Sequence, residues 1–383
     1  MSDRLSEAER IAWLRLARTG GVGPRTFRKL LDRFGTARRA LGELPALIHT
    51  LHLGDDRFRL CPAEEAEAEL EALRARGCHL LLASEPAYPA GLREIADPPP
   101  VITIRGDPAV LETALVAVVG ARNASGNGRS FARTLARDLA AGGLVVVSGL
   151  ARGIDSAAHE GALEAGGLTV AVVAAGVDVA YPPENAALME RVAAAGAIVS
   201  ERPLGAEPQA RHFPKRNRLI AGLSVGIVVV EAAPQSGSLI TARLAAEQGR
   251  EVMAVPGSPL DPRHRGTNRL LRDGATLIES AEDVLAALGP QLQPHRRPAR
   301  RPAPIPRVAA AHTTHAEALP AATGPLDLAR LVAEQLSPEP LLVDDLIRQC
   351  GAPTADVHRT LLDLELEGRL ERHPGGRVSL AAT

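Results

Sequence analysis

The sequence lacks the residues that would build a covalent or metal-bound framework. Its three cysteines, Cys61, Cys78 and Cys350, lie far apart and form no C-x-x-C pair. The chain is therefore no disulfide scaffold or structural zinc protein, and it fits a reducing compartment. No H-E-x-x-H, EF-hand or clustered Cys/His spacing occurs, so we expect neither a metal nor a cofactor.

Long apolar runs are also absent, and we expect no signal peptide in the N-terminal stretch. The N-terminal stretch MSDRLSEAER carries charges where a signal peptide requires an apolar segment. No apolar run approaches the roughly 18 residues of a membrane span. The sequence predicts a cytoplasmic protein without membrane contact.

Aromatic residues and lysines are scarce, and the charge is nearly balanced. Aromatics make up 2% of the 383 residues, the formal net charge is −1, and the only lysines are Lys29 and Lys215. The charge is nevertheless segregated, because residues 63–72 are acidic while residues 210–218 and 263–272 are basic. A local basic site is compatible with this neutral chain.

The predicted elements divide the chain into four segments. Residues 1–75 read as helices, and their Gly-x-Gly turn before Pro24 is typical of a SAM-like or helix-hairpin-helix unit. Packing alone and phosphate binding by this turn both remain open. Residues 76–288 alternate strands and helices, and residues 289–324 form a Pro- and Arg-rich linker. Residues 325–383 read as three helices and a hairpin, which predicts a winged helix.

Eight strands are predicted in the second segment. They cover residues 79–83, 101–105, 115–120, 144–148, 168–174, 197–201, 225–231 and 251–255. Several are continuous β-branched runs, which are typical of a parallel sheet buried on both faces. With helices between them, they predict an α/β fold with a doubly wound, Rossmann-like sheet.

In such a sheet, ligands bind beyond the carboxyl ends of the strands, against helix N-termini. Four loops rich in Gly, Ser and Asn meet there, at residues 120–130, 148–161, 174–185 and 231–242. They contain no G-x-G-x-x-G, and neither lysine follows a Walker A spacing. The loops predict an edge that binds phosphate without a nucleotide cofactor.

The stretch HFPKRNRLIAG (212–222) places three cations in the first turns of a helix that we predict to begin at Pro214. Lys215, Arg216 and Arg218 would then lie near a helix N-terminus, whose dipole is itself positive. Packing like charges there costs stability, and an anionic ligand is the simplest compensation. We expect Lys215 and Arg218, three residues apart, to form the main pair.

Acidic residues at the same edge admit two interpretations. Glu201 and Glu231 lie there, at the ends of two strands. They could act as acid–base groups, but we favour a role as ion-pair partners that order nearby arginines. We expect Arg216 to reach a phosphate or an acid such as Glu201. Asp155 and His159, four residues apart, could share a helix face, and we favour a helix N-cap followed by a surface or packing histidine.

Seven ordered blocks resemble the DNA-processing protein A family (DprA, also called Smf). Between about residues 80 and 280 they are VVGARNAS, SGLARGIDSAAHEGAL, AAGVDVAYPPEN, HFPKRNRLIAGLS, VVVEAAPQSGSLITA, AVPGS and RGTNRLLRDGA. The helical head and the winged-helix tail match that family's arrangement. The resemblance implies a non-catalytic protein that binds single-stranded DNA, forms a homodimer through the Rossmann-like domain and loads the recombinase RecA in natural transformation.

The resemblance also implies the residues that hold DNA. They are Arg122, Ser148, Gly149, Lys215, Arg216, Asn217, Arg218 and Asn268. The four cations would contact phosphates, and Ser148 and Gly149 would donate from a hydroxyl or the backbone. Both asparagines have a second reading as residues that order loops. Base-stacking aromatics are nearly absent, and Phe213 and Tyr181 are the only candidates near this edge.

Two other functions are alternatives for this sequence. A related Rossmann variant occurs in phosphoribohydrolases that cleave nucleoside monophosphates with a PGGxGTxxE loop. The corresponding loop here, QSGSLITAR, lacks that Glu. The second alternative is a protein-interaction scaffold that binds no DNA. For the winged helix itself, the predicted recognition helix carries Asp356, Asp363, Glu365 and Glu367, so we favour a protein contact over DNA reading.

Overall fold

A computed structural model describes residues 5–50, 59–292 and 325–381. Its N-terminal domain consists of α1 (Glu7–Arg18), α2 (Pro24–Phe34), α3 (Ala37–Thr50) and α4 (Ala63–Ala75). Pro24 is the first residue of α2, where its missing N–H costs nothing. The small core of the domain includes Trp13 and Phe27, whose ring centroids are 5.1 Å apart.

The central domain is a nine-stranded sheet with helices on both faces. The strands are β1 (Cys78–Leu82), β2 (Val101–Gly106), β3 (Leu115–Val119), β4 (Val145–Ser148), β5 (Thr169–Val172), β6 (Ala197–Ser200), β7 (Gly226–Val229), β8 (Glu251–Ala254) and β9 (Thr276–Leu277). The helices are α5 (Ala90–Glu94), α6 (Gly126–Ala141), α7 (Ile154–Glu164), α8 (Ala186–Ala195), α9 (His212–Leu223), α10 (Gly237–Glu247), α11 (Arg265–Arg272) and α12 (Ala281–Leu292). The doubly wound α/β fold is confirmed.

Strand order places the functional loops together. The order is β1-β2-β6-β5-β4-β3-β7-β8-β9, and the seven strands from β6 to β9 in this order run parallel to one another. The chain moves from β3 to β4 on one side and returns to β7 on the other, so β3 and β7 flank the switch point. The loops that follow β3, β4, β5 and β7 lie side by side with the start of α9, and we call this edge the crest.

Three details differ from the sequence prediction. The strands β1 and β2 are antiparallel, since β1 pairs with β2 and β2 with β6 in antiparallel registers. The strand β9 was missed, because two residues are too few to give a periodic pattern. The helix α12 continues to Leu292, so residues 289–292 are helical rather than linker. The rest of the predicted linker, residues 293–324, lies outside the described residues.

The C-terminal domain has the predicted winged-helix form. It contains α13 (Pro325–Gln335), β10 (Leu341–Leu342), α14 (Val343–Cys350), α15 (Thr354–Leu366), β11 (Leu370–His373) and β12 (Arg377–Leu380). The three strands form an antiparallel sheet in the order β10-β12-β11. The domain packs against the central one, where Gln349 Nε2 donates to the carbonyl of Gly126 at the start of α6.

Candidate nucleic-acid interface

The start of α9 brings cations and aromatic rings to the surface of the crest. Lys215 is exposed there, and Arg122 is exposed just after β3. The guanidinium carbon of Arg122 lies 5.0 Å from the centroid of the Phe213 ring. The Phe213 ring lies 5.6 Å from that of Tyr181, whose exposed fraction is 43%. Tyr181 is therefore exposed and Phe213 half-buried, and the guanidinium of Arg122 lies over the Phe213 ring.

The electrostatic field at the crest is positive. His212, the first residue of α9, is buried, and its Nδ1 has no hydrogen-bond partner among the described residues. Burial lowers the pKa of His212, and repulsion from Arg202, Arg211 and Lys215 lowers it further. Arg202 is a candidate that the sequence reasoning missed. Its only signal was its position two residues beyond β6.

Arg216 lies beneath the crest rather than on it. It is buried, and its Nη1 donates to the carbonyl of Val172 over 2.7 Å. A Cβ on Gly149 would lie 1.8 Å from this nitrogen, so the glycine makes room for the guanidinium. Burial lowers the pKa of Arg216 to about 10, although the carboxylate of Asp155 opposes this shift. Arg216 thus acts as an internal cation in this conformation.

Asp155 balances that cation and holds the loop after β4. It is the second residue of α7, and its Oδ2 accepts from the amides of Gly149 and Ala151 over 3.1 and 3.4 Å. Burial raises the pKa of Asp155, and the neighbouring Arg216 acts against this. Leu150 between these amides has a φ of 56°, a conformation rare outside glycine. Its carbonyl accepts from Asn185 Nδ2 over 2.9 Å, which helps to fix the loop.

Arg218, rather than Arg216, forms the ion pair with Glu201. Its Nη2 contacts the carboxylate of Glu201, and its Nη1 donates to the carbonyl of Asp97 over 2.7 Å. Arg216 was expected to reach a phosphate or an acid such as Glu201; the acid beside it is Asp155 instead, because Arg216 and Arg218 are about 200° apart around the helix. The side chain of Arg218 is 8% exposed, whereas Lys215 is free at the surface. The DNA-binding role of these cations stays a prediction.

The other predicted contact residues use their donors within the chain. The Ser148 hydroxyl donates to the carbonyl of Val118 over 2.7 Å, and the Gly149 amide to Asp155. Both expected phosphate donors are therefore occupied in this conformation, since a buried donor requires a partner.

The two asparagines connect loops. Asn217 Nδ2 donates to the carbonyl of Gly237 over 3.2 Å. Asn268 Nδ2 donates to the carbonyl of Gly257 over 2.8 Å, and its Oδ1 accepts from the amide of the same glycine. These contacts agree with the second reading of both residues, in which they order loops.

Glu231 occupies the switch point itself. This fully buried carboxylate accepts from the Ser125 amide over 2.9 Å and from the Ser125 hydroxyl over 2.5 Å. It lies 3.8 Å from His264 Nε2, and a Cβ on Gly128 would meet it at 2.4 Å. The prediction of an arginine partner is thus correct for Glu201 and wrong for Glu231. At the N-terminus of α6, where a doubly wound fold usually binds a nucleotide phosphate, the chain has placed its own anion.

His159 is a packing histidine rather than a surface one. It is fully buried, and its Nδ1 is 2.7 Å from the hydroxyl oxygen of Thr169, which itself donates to the carbonyl of Val146. Nδ1 must therefore carry the proton. Asp155 is not the N-cap of α7, which is Gly153, but its carboxylate binds backbone amides just before the helix.

The described residues offer neither a metal site nor a membrane span. No group of three or more His, Cys, Asp or Glu side chains there is arranged to hold a metal ion. No helix in these parts of the chain has the length and apolar composition needed to cross a membrane.

Family profiles match all three domains. The profile described as DNA recombination-mediator protein A matches residues 79–289. The profile of the DprA-like N-terminal HHH domain matches residues 7–72, and that of the DprA winged helix domain matches residues 315–376.

Similar proteins cover most of the chain. Protein Smf of Synechocystis is 33% identical over 97% of this chain and 99% of its own length. The X-ray structure of DNA processing protein A from Streptococcus pneumoniae is 34% identical, with a TM-score of 0.62 over 74% of this chain and 98% of that one. A structure from Helicobacter pylori, described by its single-stranded DNA binding mode, is 32% identical, with a TM-score of 0.51 over 56% of this chain and 96% of that one.

Proposed function

The chain belongs to the DNA recombination-mediator protein A (DprA/Smf) family, and we propose that it binds single-stranded DNA across the crest in DNA processing during natural transformation. The observation that carries this proposal is the surface formed by Arg122, Tyr181, Phe213 and Lys215. It joins two exposed cations to the exposed ring of Tyr181 and the half-buried ring of Phe213 in a positive field, which is the combination that single-strand binders use. A Helicobacter pylori relative described by its single-stranded DNA binding mode supports the proposal.

The crest residues divide the work between contact and support. Arg122 and Lys215 contact phosphates directly, and Tyr181 with Phe213 offers a stacking surface for about one base, worth roughly 1–3 kcal/mol. The remaining predicted residues act from behind this surface by fixing its loops: Ser148, Gly149, Arg216, Asn217, Arg218 and Asn268. Affinity then depends mainly on phosphates, and sequence preference is weak.

The double variant Arg122→Ala/Lys215→Ala tests this proposal. Each phosphate contact to a single strand contributes about 0.7 to the slope of log affinity against log salt, so the variant should flatten that slope by about 1.4. Poly-dT and mixed-sequence oligonucleotides should weaken alike. Arg137→Ala/Arg191→Ala is a matched control, because both arginines are exposed on α6 and α8. A folded double variant that keeps the wild-type slope, or that weakens on one base composition only, would contradict the proposal.

We propose that the chain is not a catalyst, in contrast to the phosphoribohydrolase alternative. The carboxylate of Glu231 is fully buried and is held by the amide and hydroxyl of Ser125. Wild-type protein incubated with AMP in the same binding experiments should release no base. Release that Glu231→Gln abolishes would favour the alternative.

Two protein partners complete the proposal. A homodimer through the central domain is supported by the free edge of β9, where Leu277 is 48% exposed, and by Leu285 of α12, which is 37% exposed. RecA is the second partner, loaded onto the strand that the crest holds. The Arg122→Ala/Lys215→Ala variant should then fail to stimulate RecA-dependent ATP hydrolysis on single strands coated with a binding protein. Full stimulation by that variant would mean that RecA loading does not depend on DNA binding at the crest.

A further inference from the structure

The N-terminal domain carries a second basic surface, away from the crest. Within the described residues, six exposed cations of α2 and α3 have no ion-pair partner: Arg25, Arg28, Lys29, Arg33, Arg38 and Arg39. The only acids on these two helices are Asp32 and Glu43. Elsewhere in the domain, arginines are paired, as in Arg18 with Glu69 and Arg74 with Glu7. The concentration of unpaired charge on α2 therefore calls for an external anion.

Three of these cations share one face of α2. Arg25, Arg28 and Lys29 stand at positions i, i+3 and i+4, opposite the buried Phe27 and Leu30. Like charges at this spacing destabilise a helix by about 0.2–0.5 kcal/mol per pair. Asp32, four residues after Arg28 and three after Lys29, is the one acid of α2 on this face, so it offsets part of the cost and leaves the face with a net charge of +2. We call Arg25, Arg28 and Lys29 the α2 stripe.

The α2 stripe begins where the crest ends. A cleft of about 590 Å³ between the N-terminal and central domains is lined by both Arg25 and Lys215. Its acids are already engaged, because the carboxylates of Glu94, Asp97 and Glu247 each lie 3.5 Å from an arginine nitrogen. Arg25 and Lys215, which line the same cleft, therefore have no acid there to neutralise them.

We infer that single-stranded DNA, after crossing the crest past Lys215, continues through this cleft onto the α2 stripe. This inference rests on the proposed function and extends its site to the N-terminal domain. The occupant is a single strand because the positive surface is continuous with the crest. The described aromatic residues of this domain are buried or half-buried, namely Trp13, Phe27 and Phe34. The stripe therefore holds phosphates and reads no bases.

The test compares two oligonucleotide lengths on the full chain. A strand of about 6 nucleotides suffices for the crest, and one of about 16 also reaches α2. The variant Arg25→Gln/Arg28→Gln/Lys29→Gln should reduce the salt slope on the longer strand by about 2, from three contacts of about 0.7 each. Between roughly 50 and 200 mM salt, the wild type should lose on the order of 20-fold more affinity for that strand than the variant does. On the shorter strand, both should behave alike.

Two further variants separate charge from structure. Arg25→Lys/Arg28→Lys keeps the charge and should keep the wild-type slope on both strands. Arg137→Gln/Arg191→Gln/Arg348→Gln removes three exposed cations elsewhere and should leave the slope on both strands unchanged. The melting temperature of each variant checks that it is folded. If the triple variant unfolds, Arg25→Gln alone takes its place, and its salt slope should change by about 0.7.

Each outcome decides between the two proposals. An unchanged slope on the longer strand overturns the α2 inference, and equal losses on both strands do so as well. Weakened binding of duplex DNA alone would also overturn it, by assigning the stripe to a different ligand. The crest proposal is tested separately by the shorter strand, whose binding depends on Arg122 and Lys215 whatever α2 does.

Discussion

Arg216 and Arg218 stand two positions apart on α9, and this spacing gives them different partners. Arg216 donates to a carbonyl of β5 beneath the crest, while Arg218 is held by Glu201 and Asp97 on the other side of the helix. Removing one partner of such a buried pair costs about 3–5 kcal/mol. Mutation of either arginine would therefore disturb the fold as well as the site. Lys215, which directly precedes Arg216 and is exposed, gives the cleaner test of DNA contact.

His159 gives a residue-scale prediction about pH. Burial, and then the charge of Arg216, lower the pKa of this histidine from its ordinary value of 6.5 to about 3. Below pH 6.5 the unfolded chain takes up a proton that the folded chain refuses, so the free energy of unfolding falls by about 1.4 kcal/mol per pH unit. In His159→Gln this component disappears, while an amide can still bond Thr169.

Urea titrations of the two proteins at pH 6 and pH 4 measure the effect. The wild type should lose about 2–3 kcal/mol more than His159→Gln over this interval. Other titrating groups are common to both proteins and cancel in the comparison. Equal losses would mean that His159 is protonated in the folded protein.

At the scale of elements, one arginine connects the winged helix to the central domain. Arg263 donates to the carbonyls of Glu334 and Leu336, at the end of α13, over 3.0 and 2.8 Å. The same guanidinium pairs with the buried carboxylate of Asp261. These bonds satisfy carbonyls that a helix C-terminus leaves without partners.

We predict that Arg263→Ala releases the winged helix from the central domain. The substitution leaves the buried Asp261 without its partner, at a cost of several kcal/mol. Small-angle scattering should then give a larger radius of gyration, while the crest keeps its single-strand affinity within about tenfold, or 1.4 kcal/mol. Arg372→Ala is the control, because that arginine pairs with Glu365 on the surface of the winged helix itself. An unchanged radius for Arg263→Ala would place the docking energy elsewhere in the interface.

The elements themselves were largely predictable, and their side-chain partners were not. Eight of the nine central strands follow from short apolar runs, several of them β-branched, since strands buried on both faces of a sheet need a continuous apolar sequence. The convergence of four loops at the crest follows from the same topology. The partner of Glu231 did not, because Ser125 is 106 residues away and no spacing rule connects them. The antiparallel direction of β1 and β2 was not predicted, since periodicity carries no information on strand direction.

The exposed face of α15 relates to what the winged-helix domain binds. Leu362 and Leu366 are 49% and 78% exposed there, beside Asp363 and Glu367. An apolar and acidic face is unsuited to a DNA groove, whose phosphates repel carboxylates. The favoured interpretation of a protein contact stays a prediction, and the structure adds the two leucines to it.

At the scale of the whole molecule, we predict that two central domains pair through β9 and α12. Leu277 lies on the free edge of the sheet in β9, and Leu285 follows on α12; charges at these positions should prevent pairing of two central domains. Leu277→Glu/Leu285→Glu should therefore sediment as a monomer at micromolar concentration, where the wild type should sediment as a dimer. Leu366→Glu is the matched control, since this more exposed leucine lies on the winged helix and should leave the dimer intact. Because the crest and the α2 stripe belong to one chain, the monomer should keep the salt slope that depends on α2. A double variant that remains dimeric, or a wild type that is already monomeric, would exclude this edge as the interface.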